Sequence, residues 1–199
     1  MSKILVIAEH ADGKLSAAVS KTVAAASQIG GDVHVAVFAV DGAAVAGQAA
    51  QIAGVAKVLT VDNAANNHAL AATLAPQIVE LAKGYSHVLF PGTTFGKDCA
   101  PRVAAKLDVQ QVSDIMHVHS ATSFDRPIYA GNAICTVEAP ASPLVLGTVR
   151  LASFQAAAGG NSAPVEAASV SATLPGHTRF VSLAAQKSER PELQSANRV

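Results

Sequence analysis

Unbroken apolar runs alternate, through the first half of the chain, with stretches whose apolar residues recur every three or four positions. Lys3-Ile4-Leu5-Val6-Ile7-Ala8, Val33–Val40, Lys57–Val61 and Val88-Leu89-Phe90 are the runs. Runs with no polar alternation are the pattern of strands buried on both faces, as in a parallel sheet. Between them the spacing predicts helices over Leu15–Ile29, about Ala44–Ala53, about His68–Ala82, and from Asp98 to Leu107. Gly30-Gly31, Gly54 and Gly84 stop the first three, and Pro76 is a candidate kink in the third. Strands alternating with helices of this length predict four βα units with right-handed crossovers.

The loop–helix after the fourth strand organises the rest. Pro91 and Gly92 end the strand, and Asp98 is the expected N-cap, which puts Pro101 in the first helical turn. A strand entering a helix through a glycine loop leaves free N–H groups at the carboxyl edge of a sheet, where open α/β sheets bind ligands.

After Leu107 the grammar changes. Ile115–His119, Ile128–Ala130, Ala133–Val137 and Leu144–Val149 are short β-type runs separated by turn signals, read as antiparallel strands extending the sheet. Ala156–Ser162 reads as a linker, Val165–Val170 and Arg179–Leu183 as final strands, and the chain from Gln186 as a polar tail.

Composition narrows the function classes. Fourteen basic and fourteen acidic residues cancel, and only 4% of residues are aromatic. This argues against nucleic acid as a partner. Two cysteines are too few for a disulfide framework, no apolar run reaches bilayer-spanning length, and the first strand begins at Lys3. The expectation is a soluble intracellular protein with no membrane insertion.

Candidate chemistry is thin. Gly92–Asp98 reads GxxxGKD, one residue shorter than a P-loop, with Asp98 where a hydroxyl would hold magnesium. Gly92, Thr93, Thr94, Gly96 and Lys97 are nevertheless candidates for an anion or nucleotide site. His117 and His119 share a strand face, but no third metal ligand sits at suggestive spacing, so a solvent-facing or hydrogen-bonded pair and no metal are expected. Glu9, His10 and Asp12 follow the first strand as possible acid–base groups. Cys99, near a helix start, is a candidate low-pKa thiol. No nucleophile–base arrangement is legible, so the expectation is a protein that is not an enzyme. Arg126, Tyr129, Asn132 and Arg150 stand among apolar β-runs as candidates for a partner interface.

Several of these stretches together resemble the electron transfer flavoprotein alpha subunit family. They are Ile4-Leu5-Val6-Ile7-Ala8-Glu9-His10, Phe95-Gly96-Lys97-Asp98 with Pro101-Arg102-Val103-Ala104-Ala105-Lys106-Leu107, and Val112-Ser113-Asp114-Ile115. Ile128–Ala133, Thr148-Val149-Arg150 with Phe154, and Ser188-Glu189-Arg190-Pro191-Glu192-Leu193 follow in the family's order. The resemblance implies an α/β fold: a three-layer, doubly wound, mostly parallel sheet of the adenine-nucleotide-hydrolase-like type. It implies pairing with an electron transfer flavoprotein beta subunit. It also implies an FAD-based carrier, taking electrons from acyl-CoA-type flavin dehydrogenases to a quinone oxidoreductase, as in fatty acid beta-oxidation. In the family the loop matching Gly92–Asp98 is usually empty in alpha subunits.

One departure counts against a straight transfer of function. The family's flavin-binding domain follows the Arg-Pro-Glu-Leu tail, and this sequence stops at Val199. Residues 1–185 are therefore expected to be an N-terminal domain and 186–199 a linker, with no FAD bound to this fragment. The expected compartment is the bacterial cytoplasm, or the mitochondrial matrix for a processed eukaryotic form. The alternative reading is a stand-alone adenine-nucleotide-binding α/β domain.

Overall fold

The computed structural model describes residues 2–184. The segment 186–199, including the Ser188–Leu193 match, lies outside the described residues. In chain order the strands are β1 Lys3–Ile7, β2 His10–Ala11, β3 Lys14–Leu15, β4 Asp32–Ala39, β5 Val55–Asp62 and β6 His87–Pro91. They continue with β7 Gln111–Ile115, β8 His117–Val118, β9 Ser123–Ile128, β10 Ala133–Glu138, β11 Val145–Val149 and β12 Val165–Ala167. The helices are α1 Ala17–Ile29, α2 Ala43–Ala50, α3 Ala71–Leu81 and α4 Thr94–Leu107.

Seven strands form one parallel sheet in the order β12-β5-β4-β1-β6-β11-β7. Ile4, Leu5, Val6 and Ile7 of β1 are all fully buried because the strand has neighbours on both edges and helices on both faces. Ile4 and Val6 meet Val19 and Val23 of α1, in the layer that also holds α2. Leu5 and Ile7 face the opposite layer, with Leu74, Ala75 and Ile78 of α3 and Ala100 and Val103 of α4. Burial of each such side chain contributes about 1.5–3 kcal/mol. Alanines fill the inner faces of the helices, Ala46, Ala49 and Ala50 in α2 for example, so those backbones lie close to the sheet.

The predicted helix boundaries shift where capping decides them. Ser16 caps α1, its Oγ accepting from the Ala18 N–H at 3.3 Å. The third helix starts at Ala71 rather than His68, because Asn63 first caps a short 3-10 turn over Ala64–Asn67. Pro76 lies inside α3.

The second half departs from expectation. Leu144–Val149 is not antiparallel: β11 lies between β6 and β7 and runs parallel to both. All five of its residues are buried, which is the two-faced burial already seen in β1. The antiparallel strands β8, β9 and β10 instead make their own three-stranded sheet, order β10-β9-β8. Parallel neighbours need a crossover of a dozen or more residues. Between β7 and β11 this small sheet supplies it, inserting Val118 and Phe124 into the core beneath α1.

Ala156–Ser162 is not a free linker. Ala53 donates to the Ala158 carbonyl at 2.7 Å, Asn161 donates its N–H to Gln51, and its side-chain amide bonds the carbonyls of Ile52 and Val55. That strap delivers β12 to the edge beside β5. Arg179–Leu183 forms no strand: it joins no ladder, and Val181 and Leu183 stand exposed.

His87 pins the two sheets together. It is buried on β6, and its Nε2–H donates to the Ala121 carbonyl in the β8–β9 turn at 2.7 Å. Since that carbonyl only accepts, the bond requires the proton on Nε2. Burial holds the His87 pKa below the ordinary 6.5, against the raising effect of that bond. Burial and then Lys57 act in the same direction on His34. As pH falls through 6.5, the unfolded chain therefore binds protons that the folded chain refuses. Stability is complete above that pH and declines below it, by at most about 1.4 kcal/mol per pH unit for His87, until the folded-state pKa is passed. Denaturant titrations at pH 7.5, 6 and 5 are expected to show this decline, and His87→Gln to reduce its slope.

Candidate functional site

Strand β1 pairs with β4 on one side and β6 on the other, so the winding reverses between β1 and β6. The crevice at their carboxyl ends is the usual ligand position in such sheets. From β6 the chain passes Gly92 and Thr93 and enters α4 at Thr94.

The cap is Thr93, not Asp98. Thr93 has extended backbone, and its Oγ1 accepts from the Gly96 N–H at 3.3 Å, so the helix begins five residues before the expected start. Asp98 is the fifth helical residue, and Pro101 is in the helix interior rather than its first turn. The hydroxyl that first follows the extended chain takes the cap, and Asp98 arrives after the turn has closed.

The two glycines serve backbone approach. A Cβ on Gly92 would stand 2.5 Å from the Val149 carbonyl oxygen, and one on Gly96 only 1.8 Å from that of Pro91. Three of the loop's donors are also used internally. Gly92 N–H bonds Val149 O at 2.9 Å, Gly96 N–H is capped, and Lys97 N–H bonds the Thr93 carbonyl at 2.9 Å. Thr94 and Lys97 are exposed. On the adjoining loop, Glu9 Oε2 is buried and has no hydrogen-bond partner among the described residues. The N–H groups of Thr93, Thr94 and Phe95 have no backbone partner among the described residues, and the Glu9 carboxyl stands close enough to influence Cys99.

The remaining acid–base candidates have structural work. Asp12 and Gly13, both at positive φ, turn the small β2–β3 hairpin, and His10 Nε2 bonds the Phe38 carbonyl at 2.9 Å. Both line a cleft of about 390 Å³ with Asp41, Asn66 and Asn67. Cys99, the sixth residue of α4, is fully buried. Burial first, then the Asp98 charge, pushes its thiol up to about 12, the reverse of the activated thiol expected from its position.

The docking candidates fall into two neighbouring groups. Arg126 Nε donates to the Ser113 carbonyl at 3.0 Å, and Arg150 Nη1 pairs with Asp114 Oδ2 at 2.8 Å. Both arginines thus converge on one corner of β7, where Asp114 at φ 62° also bonds Thr148 Oγ1 through its N–H. Tyr129 and Asn132 form the β9–β10 connection, with the Asn132 amide on the Tyr129 carbonyl at 3.0 Å. Tyr129, Ala130 and Gly131 all have positive φ, and Tyr129 is 80% exposed. Ile134 on β10 is 61% exposed. Residue types in the sequence marked the arginines and tyrosine. Asp114 and Ile134 were not marked, because nothing in their spacing reveals which strand face is left open.

The histidine pair gains a third group that spacing did not reveal. His117 lies opposite Asp125 in the β8–β9 ladder, and His119 Nε2 is 2.9 Å from Asp125 Oδ1.

These contacts generate two expectations. Gly96→Ala is expected to cost roughly 2–4 kcal/mol in denaturant melts, since backbone rather than a flexible side chain must move. In native protein a thiol reagent is expected to label Cys135 alone, with Cys99 reacting only after unfolding. Rapid labelling of both would contradict the burial described for Cys99.

Residues 4–173 match the family model described as the electron transfer flavoprotein domain. Over 97% of its length the chain is 55% identical to the electron transfer flavoprotein subunit alpha of Pseudomonas aeruginosa, covering 62% of that protein. It is 45% identical to the Paracoccus denitrificans subunit, with 98% of this chain and 63% of the relative covered. To the probable mitochondrial alpha subunit of Caenorhabditis elegans it is 37% identical, with 98% and 59% covered. The chain thus spans less than two thirds of these relatives' length. The doubly wound sheet and a match running from the first strand past the last place the chain in the electron transfer flavoprotein family.

Proposed function

We propose that this chain is the scaffold and docking part of an electron transfer flavoprotein alpha subunit, which pairs with a beta subunit in an FAD-containing electron carrier. The carrier takes electrons from acyl-CoA-type flavin dehydrogenases to a quinone oxidoreductase, in the bacterial cytoplasm or the mitochondrial matrix. The observation that carries the docking role is the Tyr129 turn. Three successive residues at positive φ include two non-glycines, each costing about 1–2 kcal/mol, and they hold an aromatic ring in solvent beside exposed Ile134. Folding alone gives no reason to keep that strain. An exposed aromatic and an exposed apolar side chain on one strand connection and its neighbouring strand are the composition of an interface centre.

The flavin belongs, in this proposal, to the part of the relatives' length that the chain does not span. That assignment is supported by the unpartnered Glu9 carboxyl beside the Gly92–Lys97 loop, which disfavours a phosphate there. When bound elsewhere in the carrier, FAD supplies the redox chemistry. The residues described here position the partner, with Arg126 and Arg150 tied to β7 so that their charge is displayed at a fixed place.

Sedimentation of this chain with the beta subunit of the same organism tests the reading. A one-to-one complex is expected, weakened at least about tenfold by Tyr129→Ala, as for an interface anchor. Absence of a complex at tens of micromolar, or saturable AMP binding that Lys97→Ala abolishes, would favour the stand-alone nucleotide-binding reading instead.

A further inference from the structure

The outer face of the small antiparallel sheet carries a cluster that the electron-carrier reading does not use. In a strand, residues two apart project to one side, so His117 and His119 share a face. The β8–β9 register sets His117 opposite Asp125, and β9–β10 sets Asp125 opposite Thr136. The donor atoms of His117, His119 and Asp125 all lie within 4.8 Å of one another. The imidazole centroids are 4.4 Å apart and tilted by 56°, close without stacking flat. Both histidines are exposed and Asp125 is half-buried, so an ion can reach them.

We propose that His117, His119 and Asp125 form a binding site for a divalent transition-metal ion, zinc in the first instance. Two imidazoles and one carboxylate are a borderline ligand set of the kind zinc accepts, and three protein ligands leave a fourth position open to water or to a partner's side chain. Two features go beyond a chance surface grouping. The carboxylate is already oriented: Thr136 Oγ1 donates to Asp125 Oδ1 at 2.6 Å from the third strand. Such an outer partner fixes a ligand before the metal arrives. Second, backbone bonds fix the positions: ladder register sets His117 and Asp125, and His119, just past β8, donates its N–H to the Ser123 carbonyl at 2.9 Å. His119 Nε2 rests on Asp125 Oδ1, and zinc replaces that contact with two bonds of its own.

The test is calorimetric titration of zinc chloride into the chain after removal of adventitious metal. One equivalent is expected to bind, and His117→Ala, His119→Ala and Asp125→Asn are each expected to weaken it at least about tenfold, Thr136→Val by less. Cys135→Ser and His177→Ala, which alter candidate ligands outside the cluster, are expected to leave the isotherm unchanged. Melting curves in chelator establish that the variants fold, which surface positions should permit. No binding up to about 1 mM free zinc, or binding that survives all three ligand substitutions, overturns the site.

Discussion

The pairing of β1 with strands on both of its edges is the constraint from which the rest of the molecule follows. Four consecutive fully buried side chains on one strand require a covered face above and below. That demand assigns α1 and α2 to one layer and α3 and α4 to the other. It also fixes the reversal of winding between β1 and β6, and with it the carboxyl-edge crevice. Gly96 shows how tight the arrangement is: the first turn of α4 lies so close to the end of β6 that no side chain fits between them.

The same closeness limits what the crevice can do. A phosphate cradle needs unengaged N–H groups and a favourable field. Here Thr93 and Val149 take up loop amides, and Glu9 brings a carboxyl oxygen with no partner among the described residues. The glycines that make the sequence look like a nucleotide loop are required by backbone packing whether or not a ligand binds. A glycine-rich motif therefore has two physical origins, and only the geometry of the neighbouring strand separates them.

The first half of the fold was legible because a doubly buried strand writes an unmistakable apolar run, as in Ile4–Ile7 and Val88–Phe90. The second half was harder, because its order in space is not its order in sequence. β11 has the same burial as β1 but follows no helix, so it read as one more antiparallel strand. The cap of α4 turned on which of Thr93 and Asp98 meets the chain first, a question of one turn of geometry. At the candidate sites, residue type marked Arg126, Tyr129 and Arg150. It could not show that both arginines meet Ser113–Asp114, or that Asp125 reaches the histidines across a ladder. Cys99 misled for a related reason: the helix starts earlier than Asp98, so the thiol falls on a buried turn.

The antiparallel excursion between β7 and β11 explains why surface chemistry gathers there. A helical crossover would bury one stripe and present a broad polar face. A three-stranded sheet buries Val118 and Phe124 on its inner side and leaves alternate residues pointing outward in fixed register. That outer side carries the His117–His119–Asp125 cluster, while the strand connection at Tyr129 carries the strained aromatic. Neither contributes to the central core, so both are free to vary while β1, β6 and β11 stay packed. His87 makes this separation workable: its bond to Ala121 anchors the excursion to the central sheet at one buried point. The backbone that displays these groups is thereby tied to the core, which is what recognition by a partner or an ion requires.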